Sequence, residues 1–315
     1  MNKVSFVIPC YRSENTIGKV TEEIKTAMAG RDYEIILVND CSPDGTMNTI
    51  KALAAEDERI IAVDLARNFG QHAALMAGFH QVTGDVTVCL DDDGQTPADE
   101  VDRLLEKIEE GYDAVYASYE RKMHSGFRNW GSRLNSKMTE IMLGKPKELY
   151  VSSYFAVRRF VMDEMLRYEG CYPYVIGLVL RSTKNICNVP IDHREREVGA
   201  SGYTLSKLIS LWMNGFTSFS VKPLRIANYI GCFSALCGFI YMIIIIIRHF
   251  AFNTAPLGWS STTALLLLIG GIILVVLGLV GEYIGRIYMC INSTPQYVVR
   301  EVYRATDNSA EKAQV

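Results

Sequence analysis

The chain has 315 residues, 49% of them hydrophobic, and a formal net charge of −3. This length allows one large domain or two smaller ones, and the slightly acidic balance argues against a global basic field that attracts nucleic acid. The eight cysteines include no C-x-x-C pair, which favours a reducing compartment over a disulfide scaffold. We expect no secretory signal peptide, because the apolar run Val4–Ile8 is too short for one.

Apolar strands alternate with amphipathic helices over the first third of the chain. Val4–Ile8 is predicted to be a buried strand closed by Pro9, and the next helix spans about residues 17–28, with Asn15 or Thr16 as its N-cap. Further predicted elements are the strands Tyr33–Asn39, Ile60–Asp64 and Ala114–Ser118 and the helix Ala98–Glu110. This alternation predicts an α/β fold with a parallel, doubly wound sheet. Neither G-x-G-x-x-G nor a P-loop follows the first strand, which disfavours a dinucleotide-dependent dehydrogenase or a kinase.

Polar residues follow the second and third predicted strands. Asp40 comes at the carboxyl end of the second strand, where a carboxylate suits hydrogen bonding to a nucleotide base or a ribose. An Asx turn is the alternative, and it fits Asp44 better than Asp40. His72, at the start of a small-residue helix, is expected to be a surface residue rather than a metal ligand.

The most informative stretch is the apolar run Val86–Leu90, which ends in three carboxylates. In an extended chain alternate side chains share a face, so Asp91 and Asp93 are expected to point one way and Asp92 the other. Two close carboxylates repel each other unless a proton or a cation lies between them, and a hard divalent cation takes oxygen ligands. We therefore expect Asp91 and Asp93, with the Gln95 amide oxygen, to hold Mg²⁺ or Mn²⁺ against a diphosphate. An acidic turn without a ligand remains equally open from this stretch alone.

Two uncharged runs near the C-terminus each approach the ~20 residues that span a bilayer. The uncharged runs are Ile226–Ile247 and Thr262–Val280. The predicted membrane spans lie at about 226–247 and 262–284, and buried core helices are the alternative. The flanking basic residues are Lys222, Arg225, Arg286, Arg300 and Arg304. By the positive-inside rule, they place both termini and the N-terminal domain in the cytoplasm, on the inner face of a cell membrane.

Four motifs carry a resemblance to a known family. They are PCYRSENT, VNDCSPDGT, RNFGQHAALMAGF and LDDDGQTPADE, in this order. Together they resemble family 2 glycosyltransferases, which have a GT-A fold with a Rossmann-like, mostly parallel sheet. With a C-terminal two-helix transmembrane hairpin, the chain resembles the polyprenyl-phosphate subgroup. That subgroup includes dolichol-phosphate mannose synthase, undecaprenyl-phosphate glucosyltransferases and the undecaprenyl-phosphate formamido-arabinose transferase. The last is the most similar, through NFGQHAALMAGF, REREVGASGY and GEYIGRIY.

The resemblance implies an inverting, metal-dependent transfer of a sugar from a nucleotide diphosphate, expected to be UDP, to undecaprenyl phosphate. The product would be a lipid-linked monophosphate sugar for cell-envelope glycan modification. The implied partners are the donor, the lipid acceptor, the bilayer and further copies of the chain (relatives form tetramers), but no nucleic acid. An acceptor phosphate with a second pKa near ~6 is largely dianionic at neutral pH, so it needs no strong general base.

The resemblance also implies roles for particular residues. The nucleotide would be contacted by Pro9, Tyr11, Glu14, Asp40 and Asp92. The catalytic group would comprise Asp93, Arg128 and Arg196. Guanidinium groups bind phosphate in bidentate fashion, so Arg128, Arg133, Arg194 and Arg196 are the expected phosphate ligands. A solvated basic face is the alternative for each arginine.

The chain departs from the pattern of the family at four positions. Leu149 and Phe155 stand where an Asp and an Arg are usual, Gly202 stands for a Lys, and Gly94 for a Leu. These departures leave the sugar undetermined and keep open a non-catalytic protein that binds nucleotide sugars. A polysaccharide synthase subunit is a third alternative, but the chain lacks the Q-x-x-R-W motif and the several spans of a pore.

The expected domain organisation has four parts. They are a cytoplasmic GT-A domain at 1–202, amphipathic interfacial helices at 203–225, the hairpin at 226–286 and a cytoplasmic tail at 287–315. Near the membrane interface at the end of the second span, Glu282 and Arg286 are spaced to pair at i, i+4. Gly281 and Gly285 form a G-x-x-x-G that suits packing of the hairpin or of an oligomer.

Overall fold

The computed structural model describes residues 3–119, 140, 145–191, 258–292 and 294–305, with scattered positions between 224 and 247. The chain forms two compact units. Unit 1 comprises Met1–Ile209 with Pro295–Val315, and unit 2 comprises Ser210–Thr294.

Unit 1 is built on one eight-stranded sheet. Its strands are β1 (Val4–Cys10), β2 (Tyr33–Asn39), β3 (Ile60–Leu65), β4 (Val86–Cys89), β5 (Ala114–Tyr119), β6 (Phe155–Arg158), β7 (Ile186–Ile191) and β8 (Val299–Tyr303). They lie in the order β7-β5-β6-β4-β1-β2-β3-β8. Only β6 and β8 run against the other strands. This arrangement confirms the predicted α/β class with a mostly parallel sheet.

Helices cover both faces of the sheet. They are α1 (Ile17–Ala27), α2 (Thr46–Glu56), α3 (Gln71–Phe79), α4 (Val101–Glu109), α5 (Arg159–Leu166) and α6 (Val175–Ser182). One face packs α1, α2 and α4 into a core that includes Phe6, Leu37 and Leu104. On the other face α3 contacts β1, β2, α5 and α6. Side chains of one strand alternate between these two faces, so every central strand is buried on both sides and reads as a continuous apolar run.

The C-terminal edge strand β8 was not anticipated from the sequence. It pairs antiparallel with β3, so the chain returns to the sheet of unit 1 after unit 2. A short, half-exposed strand with charged residues has no strong local signal, and its place is decided by the partner strand.

Unit 2 contains the helix α7 (Trp259–Ile291). Within it, Ile269–Ile291 is the one described segment that is long and apolar enough to cross a membrane, with a mean hydropathy of 1.8. The predicted pair at i, i+4 is confirmed, because Arg286 Nη2 lies 2.7 Å from Glu282 Oε1. The predicted first span and the interfacial helices fall mainly outside the described residues.

Candidate active site at the carboxyl ends of the strands

The loops that follow β1, β2, β3 and β4 meet at one edge of the sheet, because these strands are parallel. Since β6 runs the opposite way, the loop that precedes it arrives at the same edge. Open α/β sheets bind ligands at this edge. The predicted acidic residues are therefore brought together with Ser153, which is far from them in sequence.

The three carboxylates after β4 lie in a turn. The strand ends at Cys89, and Asp92 and Asp93 belong to a turn that Gly94 continues with a φ of 72°. Asp91 and Asp92 do face different loops, but strand alternation is not the cause, because the chain forms a turn at Asp92 and Asp93. The hydrogen-bond partners of each carboxylate decide its orientation instead.

Asp91 is held by two side chains. Its Oδ1 accepts a hydrogen bond from Gln71 Nε2 at 2.8 Å, and its Oδ2 accepts one from the Ser153 hydroxyl. Burial raises the pKa of Asp91 to about 6, and the charges of Asp93 and Asp92 act in the same direction. The two hydrogen bonds favour the charged form and oppose that shift.

Asp92 faces the loop after β1. Its Oδ2 accepts hydrogen bonds from the Tyr11 backbone N–H, at 2.9 Å, and from the Ser13 hydroxyl. Burial raises its pKa. Tyr11 itself is 45% exposed, and Pro9 lies near the end of β1. Asp92 thus ties the two loops together, and the Arg12 guanidinium carbon lies 5.6 Å from the centroid of the Tyr11 ring.

Asp40 supports the loop before α3. Its two carboxylate oxygens accept the backbone N–H groups of Phe69 at 2.7 Å and Gly70 at 2.8 Å. Gly70 has a φ of 91°, a conformation that suits glycine. Asp40 is only 4% exposed, and burial raises its pKa. The structure therefore gives Asp40 a bracing role, while its contact with a nucleotide remains a prediction.

Glu14 and Asp44 shape the loop before α2. Glu14 Oε2 accepts the Gly45 N–H at 3.0 Å, and Asp44 Oδ1 accepts the Thr46 N–H at 3.2 Å and its hydroxyl at 2.6 Å. The turn predicted for Asp44 is confirmed. Glu14 is exposed, and its predicted contact with a nucleotide stays a prediction.

The side chains of Asp91, Asp93 and Gln95 carry oxygen donors, the type of ligand that a hard cation takes. Asp93 Oδ1 accepts the Gln95 N–H at 3.1 Å, and the charge of Asp93 raises the pKa of Asp91. Such repulsion between oxygen donors is relieved by a divalent cation. Among the described residues, no group of three or more His, Cys, Asp or Glu is arranged to hold a metal. The candidate set instead consists of two carboxylates and an amide.

His72 is half-buried rather than the surface residue that the sequence indicated. Its ring lies edge-on to Tyr174, with ring centroids 5.0 Å apart. Its Nδ1 is buried without a hydrogen-bond partner among the described residues, and burial lowers its pKa to about 4. The low pKa favours the neutral imidazole, and the ring packs against Tyr174.

The other residues singled out in the sequence lie either in the core or outside the described residues. Arg128, Arg133, Arg194 and Arg196 lie outside the described residues, as does Gly202. The unusual residues Leu149 and Phe155 are 7% and 2% exposed, respectively, so both are core residues.

Sequence reasoning missed Gln71, Ser153 and Ser13. Each places a hydrogen-bond donor on an acidic residue. Gln71 and Ser13 do have a weak signal, because each lies where a strand end leads into the start of the next helix. Ser153 has none, since its position depends on the antiparallel insertion of β6.

Comparison with known proteins identifies the family. The profile of "Glycosyl transferase family 2" matches residues 5–166, and that of "GtrB C-terminal hairpin" matches residues 222–287. The chain is 34% identical over 317 aligned residues to undecaprenyl-phosphate 4-deoxy-4-formamido-L-arabinose transferases of two Klebsiella pneumoniae strains, 342 and ATCC 700721 / MGH 78578. Each alignment covers 99% of this chain and 97% of the relative.

Solved structures share the fold. Glucosyl-3-phosphoglycerate synthase of Mycobacterium tuberculosis, in complex with Mn²⁺, UDP-glucose and phosphoglyceric acid, is 20% identical with a TM-score of 0.53. The match covers 69% of this chain and 78% of that chain. The complex of the same enzyme with Mn²⁺ and UDP-glucose is 19% identical, also with a TM-score of 0.53, over 69% and 77% of the two chains. The sheet is thus of the GT-A type, and the protein belongs to glycosyl transferase family 2.

Proposed function

We propose that this protein transfers a sugar from a nucleotide diphosphate sugar, specifically a UDP-sugar, to undecaprenyl phosphate, with inversion at the anomeric carbon. The product is a lipid-linked monophosphate sugar for cell-envelope glycan modification. The observation that carries the proposal is the cluster of Asp40, Asp91 and Asp92 at the carboxyl ends of β2 and β4. It lies in a chain that aligns over 99% of its length with undecaprenyl-phosphate sugar transferases.

Asp91, Asp93 and Gln95 are the residues we propose for holding Mg²⁺ or Mn²⁺. The cation would neutralise the negative charge that develops on the departing nucleoside diphosphate. Two solved structures with the same fold contain Mn²⁺, which supports a divalent cation but does not identify its ligands in this chain. Gln71 and Ser153 keep the Asp91 carboxylate oriented and favour its charged form.

The acceptor side of the reaction needs positioning more than proton transfer. A phosphate monoester whose second pKa is near ~6 supplies its own anionic oxygen. The protein has to hold two anions close together, which requires cationic side chains. We assign this task to the predicted arginines, Arg128, Arg133, Arg194 and Arg196. We assign Pro9, Tyr11, Glu14, Asp40 and Asp92 to the nucleotide.

The site faces the cytoplasm in our proposal, and the chain crosses the cell inner membrane as a hairpin. The return of β8 to the sheet of unit 1 supports this topology. If α7 spans the bilayer, a chain with both flanks in one sheet must cross it an even number of times. The Gly281-x-x-x-Gly285 spacing supports packing within the hairpin or a homo-oligomer.

A transfer assay tests the function. The purified full chain is incubated with Mg²⁺, a short polyprenyl phosphate and each of a panel of radiolabelled nucleotide sugars, and label in an organic-extractable lipid is counted. We expect one UDP-sugar to give a labelled lipid from which mild acid releases the sugar. Binding of nucleotide sugars without any labelled lipid would instead identify a non-catalytic binding protein.

A further inference from the structure

The pairing of the edge strand β8 with β3 contains a register shift near the carboxyl end of β3. The proposed nucleotide site lies at the same edge of the sheet. Asp64 of β3 pairs with Glu301, but Leu65 pairs with Val299, so Arg300 is an extra residue in the ladder. Such a bulge re-aims a side chain and often occurs beside functional sites.

The extra residue reaches into the sheet. Arg300 Nη1 lies 2.9 Å from Asp64 Oδ2, and its Nη2 donates to the Ala66 carbonyl at 3.0 Å. The Asp64 side chain is only 7% exposed, whereas that of Arg300 is 56% exposed. A charge-assisted pair with a buried carboxylate is a strong orienting contact.

From Asp64 the hydrogen bonds continue into the loop after β2. Asp64 Oδ1 accepts from Asn39 Nδ2 at 2.7 Å, which fixes the amide group of Asn39. Asn39 Oδ1 then accepts the Ser42 N–H at 3.2 Å. Hydrogen bonds thereby connect Arg300 to the loop that begins with Asp40.

The last contacts join this loop to the one after β1. Ser42 Oγ accepts the Arg12 N–H at 2.8 Å, and the preceding residue, Tyr11, donates its N–H to Asp92. Arg12 and Cys41 have φ values of 60° and 51°, which are uncommon for residues other than glycine. Loops with such backbone conformations persist only when the surrounding contacts hold them.

We infer that Arg300 is a positioning residue for the nucleotide of the donor, acting through Asp64, Asn39 and Ser42 on the loops that contain Tyr11 and Asp40. This inference rests on the proposed function. It means that a segment following the hairpin in sequence completes the support of the donor site, although it supplies no group to the ligand. A neighbouring residue on the same strand provides a contrast, because Glu301 pairs with Lys51 of α2 at 2.6 Å.

The test compares variants of the full-length purified protein. Arg300→Gln removes the charged pair, Arg300→Lys keeps the charge, and Glu301→Gln is the matched control on the same strand. Affinity for UDP with Mg²⁺ is measured by calorimetry, and donor KM, acceptor KM and kcat by the transfer assay. We expect Arg300→Gln to weaken UDP binding and raise donor KM about five- to tenfold, the scale of one ordinary hydrogen bond, because Arg300 acts on the nucleotide only through other residues. Acceptor KM and kcat should stay unchanged, Arg300→Lys should recover most of the loss, and Glu301→Gln should match the wild type.

The outcomes separate a positioning role from a purely structural one. Unchanged UDP affinity in Arg300→Gln, even with a lower melting temperature, overturns the inference, as does an equal loss in Glu301→Gln. If Arg300→Gln does not fold, the two single variants Asp64→Asn and Arg300→Lys are compared instead, again by UDP affinity and donor KM. A wild-type protein that binds UDP but transfers no sugar refutes the proposed function alone, and the binding comparison still tests Arg300. A wild-type protein that binds no UDP refutes both.

Discussion

At the scale of residues, three adjacent carboxylates have three different environments. Asp91 is held by side chains from α3 and the loop before β6, Asp92 by the loop after β1, and Asp93 by its own turn. The residue types and their order were predictable from the sequence. The donor to each oxygen was not, because those donors come from other loops.

Asp93→Asn should reduce sugar transfer at least about a hundredfold, because loss of the carboxylate proposed to bind the metal would weaken stabilisation of the leaving group. The substitution keeps the shape of the side chain, so the melting temperature should stay close to that of the wild type. The transfer assay measures the loss. Asp163→Asn, which removes an exposed carboxylate paired with Arg159, is the control and should be fully active. Activity retained in Asp93→Asn would rule out the assigned metal role.

Ser153→Ala should raise the Mg²⁺ concentration needed for half-maximal transfer by about tenfold, because groups that orient a metal ligand contribute on that scale. Ser152→Ala is a matched control in the same loop, since its hydroxyl bonds the carbonyls of Ala117 and Tyr154 instead. A metal titration of both variants measures the difference. An equal increase in the required Mg²⁺ concentration in both variants would mean that the effect comes from the loop as a whole and not from the hydrogen bond with Asp91.

At the scale of elements, α3 lies unusually close to the sheet. A Cβ at Gly78 would overlap Val7 Cγ1 and lie 3.0 Å from Val38 Cγ2. Both valines are fully buried in strands and have stiff side chains. The run of small residues in this helix was predictable from the sequence, but which of its glycines contacts the strands was not.

Gly78→Ala should lower the free energy of unfolding by about 1–3 kcal/mol, the usual cost of an added methyl group in a packed core. Gly18→Ala in α1 is the control, because a Cβ there meets nothing within 4 Å. It should instead stabilise by up to about 1 kcal/mol through helix propensity. Chemical denaturation of the full chain measures both. Equal effects of the two substitutions would contradict the close contact.

In the connection between α2 and β3, the contact of Asp57 with Arg59 should make the free energy of unfolding depend on pH in the acid range. Hydrogen bonds from Arg59 lower the pKa of Asp57 to about 2. The unfolded value is about 3.9, so the contribution is present above that pH and is lost as the pH falls toward about 2. The stability difference between wild type and Asp57→Asn should therefore shrink between about pH 4 and pH 2. Denaturation at several pH values measures this, with Glu56→Gln as an adjacent control. A pH-independent difference would exclude the linkage.

At the scale of the whole molecule, the chain leaves unit 1, forms unit 2 and returns to the sheet as β8. A membrane hairpin is compatible with this path, because it brings both of its ends to the same side of the bilayer. The apolar helix α7 and the basic flanks were predicted from composition. The return of the chain was not.

Reporter fusions should reveal the predicted topology. A fluorescent protein after Val315 should fluoresce, because the C-terminus is expected in the cytoplasm. Alkaline phosphatase inserted between residues 248 and 261 should be active, because that loop is expected on the opposite side of the membrane from the cytoplasm. Exchange of the two reporters between the two sites is the control and should silence both. An active phosphatase at the C-terminus would overturn the two-span topology.

The sequence by itself determined the alternation of strands and helices, the acidic strand end and the apolar helix near the C-terminus. These features depend on local periodicity and composition, which each segment carries alone. Only the tertiary structure decided that Ser153 bonds Asp91, that Asp40 braces the loop before α3 and that Arg300 reaches Asp64 across 236 positions of the chain. The physical reason is that the position of an edge strand or an antiparallel strand in the sheet depends on the strand it pairs with, which is distant in sequence. The residues next to it in sequence therefore do not predict that position.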